Sequence, residues 1–172
     1  MLLIVENLVR KVYSINSRSG DLQLSRLPEG LIELGESAFN NAGSEVKLQD
    51  TDEVRILPPG LQVLPRRCFF RCGNVQLTEF GSEGTTYKLH TIGESALDML
   101  TVTATGTDHH GVTIVNLYPS ITSVGNKAFA GYGSYDGMPG GTEAIIAPRA
   151  NPLDVSSAGF ANVIGNAIWD EE

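Results

Sequence analysis

Four groups of side chains are of types that carry chemistry. Asp108, His109 and His110 stand in a row, and carboxylate and imidazole are both ligands for zinc and related ions. Adjacent residues on an extended segment point to opposite sides, however, and no further ligand follows at a metal-binding spacing. A solvated turn tip is the reading adopted, with no metal. Cys68 and Cys72 lie four residues apart and would share one face of a helix. Two cysteines do not make a disulfide framework, and core packing is their expected role. Arg66, Arg67 and Arg71 concentrate positive charge in a short stretch of an acidic chain, and guanidinium forks suit carboxylates. The segment "GYGSYDGMPGG" (131–141) carries Tyr132, Tyr135 and Met138 among glycines. It lacks the Lys-Ser/Thr ending of a phosphate loop, whereas Tyr, Gly and Ser suit a binding loop.

No catalytic set emerges. Serines are plentiful, but no G-x-S-x-G nucleophile elbow occurs. The acidic residues scatter, with no pair placed at glycosidase separation. The expectation is therefore a non-enzyme without a cofactor. Its candidate interaction surface comprises Arg66, Arg67, Arg71, His109, His110, Tyr132, Tyr135 and Met138.

The elements that hold these residues follow from a repeat. Phe39, Phe69, Leu97, Phe129 and Phe160 recur at spacings of 30, 28, 32 and 31 residues. A small residue precedes each anchor: Ala38, Cys68, Ala96, Ala128 and Gly159. Four positions upstream stand Gly35, Pro65, Gly93, Gly125 and Ser156. Five upstream stand Leu34, Leu64, Ile92, Val124 and Val155. Eight upstream stand Leu31, Leu61, Leu89 and Ile121, with Pro152 in the fifth copy and Leu153 beside it. The apolar positions are expected to point inward from a short extended segment. The anchors are expected to stack from copy to copy. The glycine position is expected to supply positive φ at a sharp turn, which Pro65 cannot do. Between anchors, β-branched runs such as "VTIVNL" flank polar, Gly-containing tips, a hairpin-like pattern.

The unit "LPEGLIELGESAF" (27–39), echoed by "SITSVGNKAF" (120–129), resembles the BspA-type (Treponema pallidum-like) leucine-rich repeat. The resemblance spans about residues 20 to 160. It implies a leucine-rich-repeat solenoid, β-rich with short helical turns, of about five repeats of 28–32 residues. One domain over 1–172 is expected, with 1–26 as an N-terminal cap and partial repeat and 161–172 as a C-terminal cap. The family also implies adhesion or protein interaction.

Bulk properties narrow the partners. Net charge is −8 over 172 residues and the pI is about 4.8. Phosphate-backbone binding needs a basic face, so nucleic acid and anionic membranes are disfavoured. The apolar run at the start stops at Glu6, so neither a signal peptide nor a membrane-inserting segment is expected. Other proteins, identical subunits among them, are the expected partners. The preferred setting is a subunit of a larger assembly such as a bacteriophage virion. Rival readings are a surface adhesin fragment binding host protein or glycan, and a hydrolase or lectin-like site in the loop tips.

Overall fold

A computed structural model describes residues 11–12, 26–42, 48–50, 56–72, 75–98, 112–131 and 141–168. Its strands are β1 (Lys11–Val12), β2 (Glu33–Leu34), β3 (Leu48–Gln49), β4 (Val63–Leu64), β5 (Val75–Gln76), β6 (Glu79–Phe80) and β7 (Thr91–Ile92). They continue with β8 (Val112–Leu117), β9 (Ser123–Val124), β10 (Gly141–Ile146), β11 (Leu153–Asp154), β12 (Asn162–Gly165) and β13 (Ala167–Ile168). Strands β6, β8, β10 and β12 form a four-stranded sheet in that order, and β4, β7 and β9 a three-stranded one. The pairs β1–β2, β3–β5 and β11–β13 complete the set. From β6 onward the chain alternates between the four-stranded sheet and the short strands β7, β9 and β11, each of which leads into an anchor turn. Every described pairing is parallel.

This corrects the expected architecture. The leucine-rich-repeat solenoid with short helical turns gives way to a parallel-sheet fold with no helix among the described residues. The reason lies in the backbone of the anchor turn. Ser37, Arg67, Ser95 and Lys127, each two residues before an anchor, have φ of 58°, 55°, 50° and 55°. A left-handed residue interrupts a right-handed helix and costs roughly 1–2 kcal/mol. Each of these four N–H groups turns out of its own segment and donates to a carbonyl of the next copy. The acceptors are Arg66, Glu94, Asn126 and Ser157, at 2.8–3.0 Å. The anchors Phe39, Phe69, Leu97 and Phe129 repeat the move, donating to Cys68, Ala96, Ala128 and Ala158 at 2.7–2.9 Å. Hydrogen bonds between copies thus alternate with short bonds inside the turn, such as Ala38 N–H to Gly35 O at 3.2 Å and Asn40 N–H to Ser37 O at 3.1 Å, so no α-helical ladder forms.

The hairpin pattern is overturned as well. The run Val112–Leu117 pairs in parallel with Gly141–Ile146, in the next copy, rather than antiparallel across its own tip. Period-two alternation is common to both arrangements, so it could not distinguish them.

The repeated apolar positions make the core. Leu31, Leu61, Leu89 and Ile121 are buried, as are Leu34, Leu64, Ile92, Val124 and Val155. The anchors Phe39, Phe69, Leu97 and Phe129 have no exposed surface. Phe39 and Phe69 stack at 5.1 Å with planes 5° apart, and Phe129 stacks on Phe160 at 4.7 Å. Phe80 of β6 meets Phe129 edge-on at 5.3 Å and so packs the four-stranded sheet against the anchor turn that follows β9.

Two positions behave differently from expectation. The glycines four residues before the anchor do not supply the positive φ, which falls two residues later. They supply space instead. A Cβ on Gly93 would lie 2.8 Å from Arg66 N, and one on Gly125 would lie 2.5 Å from Glu94 N. The N–H groups of Gly93 and Gly125 donate to Leu64 and Ile92 at 2.7 Å, tying copy to copy. Pro65 occupies the same position without an N–H and cannot bond to Leu34. Correspondingly, β2 lies against β4 without pairing to it. In the fifth copy the small buried residue is Ala158 rather than Gly159. Ala158 N–H donates to Val155 as Ala128 N–H donates to Gly125. Gly159 takes φ of 89°, and Phe160 is half-buried, covering Phe129 from the end.

Candidate interaction surface

The arginines sit on the anchor turn of the second copy, between β4 and β5. Arg66 Nε lies 3.4 Å from Glu94 Oε1, with both side chains about half exposed. A pair so open to water contributes about 0–1 kcal/mol. Arg67 and Arg71 are arranged differently. Their guanidinium carbons lie over the Phe70 ring, 5.4 and 5.2 Å from its centroid. Both residues hold left-handed backbones, at 55° and 53°. Their N–H groups are spent on Glu94 O at 3.0 Å and Asp98 O at 3.1 Å. The Arg67 Nε is buried and has no acceptor among the described residues. The turn therefore brings all three arginines together and orders two of them on one ring. His109, His110, Tyr132, Tyr135 and Met138 lie outside the described residues.

A second surface went unread in the sequence. Along β10 burial alternates, with Thr142, Ala144 and Ile146 inside and Ile145 outside. Ile145 pairs in register with Ile164 of β12 and Asn116 of β8. Ile114, Ile145 and Ile164 are 49%, 42% and 55% exposed. At the other side of this face Asn116 Nδ2 donates to Glu79 Oε1 at 2.6 Å. Parallel sheets are ordinarily covered on both faces, so three exposed isoleucines on one are unusual. The available signal was the near-continuous apolar composition of "VTIVNL" and "EAII", which suits strands buried on both sides.

Arg149 marks a third feature. Its Nη1 donates to Ile121 O, and its Nη2 to Leu117 O at 2.8 Å and Tyr118 O at 3.1 Å. Desolvation lowers its pKa. It closes the carbonyl ends after β8 and borders a groove of about 480 Å³ lined by Pro119, Ile121, Thr122, Asn151, Pro152 and Leu153. With the guanidinium committed to three carbonyls, the groove has a structural arginine rather than an anion receptor.

Asp50 and the two cysteines are also committed to the fold. Asp50 Oδ1 accepts from Ile56 N at 2.8 Å, and its Oδ2 from Thr78 N at 3.0 Å and Glu79 N at 3.3 Å. It thus caps the outer edge of β6. Burial raises its pKa against the pull of those three N–H donors. Cys68 and Cys72 are free and fully buried. Cys68 Sγ faces Ala96 O at 3.8 Å, and burial pushes both thiols up, that of Cys72 to about 12. Among the described residues no three His, Cys, Asp or Glu side chains cluster as a metal site, and no helix is long and apolar enough to cross a membrane. No family model, curated protein or solved structure matches the chain.

Proposed function

We propose that this chain is a non-enzymatic structural and protein-interaction module, a subunit that works in a larger assembly. The observation that carries the reading is the uncovered outer face of the four-stranded parallel sheet. Removing a fully exposed isoleucine side chain from water is worth about 1.5–3 kcal/mol; these three are about half exposed, so each offers about half of that toward a partner. A second copy of the chain fits this face. An apolar patch is complementary to itself, and a two-fold axis would lay Ile145 and Ile164 against their counterparts without opposing like charges at the centre. Glu79 on edge strand β6 and Asn162 on edge strand β12 would form part of the polar rim, as interfaces generally have, with Glu143 of β10 beside Ile114.

Sedimentation velocity over a concentration series tests this. The parent chain is expected to self-associate. The double variant Ile145→Lys, Ile164→Glu, which puts opposite charges on these register partners, is expected to stay monomeric and folded by far-UV circular dichroism, because both side chains are about half exposed in the single chain. A parent that remains monomeric at every concentration would end the reading.

A further inference from the structure

We propose that Arg67 and Arg71, held on Phe70, form a receptor for a carboxylate-rich segment of a partner protein. The proposal goes beyond self-association through the isoleucine face, concerns different residues, and is read out separately.

Three observations carry it. First, the two guanidiniums are ordered but uncommitted. Stacking on one aromatic ring restrains both side chains, yet neither guanidinium pairs with a carboxylate among the described residues. In a chain with 20 acidic and 12 basic residues, arginines left without a carboxylate are conspicuous. Their forks are placed in advance, so little side-chain entropy remains to be lost on binding.

Second, the chemistry favours carboxylate over phosphate. Phosphate cradles are built largely from backbone N–H groups. Here the N–H groups of Arg67 and Arg71 already donate to Glu94 and Asp98 of the neighbouring copy. What remains is two planar forks tethered to one ring; such a fork takes either anion through two parallel hydrogen bonds, but the further oxygens of a phosphate would lack the backbone N–H donors of a phosphate cradle here.

Third, the third arginine is partly masked. Arg66 leans on Glu94 at 3.4 Å in an exposed contact that an incoming carboxylate can replace. Glu94 thus competes with the ligand, and its removal should strengthen binding.

The test is fluorescence anisotropy with a labelled hexaglutamate peptide at low ionic strength, on the full chain, with far-UV circular dichroism as the control for folding. The parent is expected to bind, and more weakly as salt rises. Arg67→Ala with Arg71→Ala should weaken binding about tenfold or more, since each lost charge-assisted contact is worth roughly 1.5–3 kcal/mol. Arg67→Lys with Arg71→Lys keeps charge and fold but removes the forks, and should still lose about threefold or more. Glu94→Gln should tighten binding about two- to threefold by releasing Arg66. Lys127→Ala removes an exposed cation from the position equivalent to Arg67 and should change nothing. Four results would overturn the proposal: no binding by the folded parent, equal loss with Lys127→Ala, full retention in the double-lysine variant, or displacement of the peptide by inorganic phosphate more readily than by free hexaglutamate.

Discussion

Substituting Gly125 by Ala, beside Lys127 by Gly, separates two explanations of the repeat that its residue pattern leaves mixed. A Cβ at position 125 would stand 2.5 Å from Glu94 N, 2.7 Å from Gly93 C and 2.9 Å from Glu94 Cα. All three are backbone atoms, so none can rotate aside, and the two layers must separate. Overpacking of this kind costs roughly 1–3 kcal/mol. Separation also stretches the Gly125 N–H to Ile92 O bond, now 2.7 Å, for about 0.5–1.5 kcal/mol more. The expected loss is therefore about 2–4 kcal/mol, a fall of roughly 5–15 °C in Tm for a domain of this size. Lys127 has φ of 55°, and replacing it by Gly relieves roughly 1–2 kcal/mol of left-handed strain. The glycine returns about 0.5–1 kcal/mol of that through the entropy of the unfolded chain. The net expectation is no change or a gain of up to about 1.5 kcal/mol. Urea and thermal denaturation followed by circular dichroism measure both. Had glycine been selected for its dihedral freedom, Gly125→Ala would cost about 1 kcal/mol and Lys127→Gly would not help. A loss of about 1 kcal/mol or less for Gly125→Ala, or a clear loss for Lys127→Gly, would refute the close-packing account.

Three further outcomes follow from the core. Phe129→Ala removes a fully buried ring that touches both Phe80 and Phe160 and should cost about 3–5 kcal/mol; the exposed Thr122→Ala should stay within about 1 kcal/mol in the same urea titration. Asp50→Asn keeps an acceptor for one side of the cap but turns an amide N–H₂ toward the other donors, for a loss of about 1–3 kcal/mol. Because burial raises the pKa of Asp50 from 3.8, its own contribution should grow as pH falls through the folded value toward 3.8, and stability titrations of Asp50→Asn should lack that component. Cys68 and Cys72 should react with an aromatic disulfide reagent only at the rate of unfolding. Above pH 9 the unfolded thiols ionise while Cys72 stays protonated until about 12, so stability should fall as pH rises through that window. Replacing both cysteines by Ala should flatten the fall.

Much of the core was legible in the sequence, because recurrence at 28 to 32 residues marks positions that must meet their equivalents. Leu31, Leu34, Ala38 and Phe39 and their counterparts are buried for that reason. The glycines were legible as special but misread in kind. Composition reveals that a side chain is forbidden, and both a dihedral and a close neighbour forbid one. The fifth copy was misplaced by one residue, since Gly159 and Ala158 are both small and only the hydrogen bond to Val155 separates them. In the candidate surface, the clustering of Arg66, Arg67 and Arg71 was visible as charge. Their order was not, because it depends on Phe70 and on Glu94 from the next copy.

Recurrence in the sequence marks the repeated inward positions and the distance between equivalent ones, but not which face of the long strands stays open, since Ile114, Ile145 and Ile164 are as apolar as the buried residues beside them. Tertiary structure alone decided how the copies join. Strand direction, the parallel register of β8 on β10 and the outward turn of the Ser37, Arg67, Ser95 and Lys127 N–H groups are all set by partners about thirty residues away. A backbone N–H is the same donor in every residue but proline, so its choice of partner leaves no mark in the local sequence. Only at Pro65, where the donor is missing, does a single residue announce where the pairing must stop.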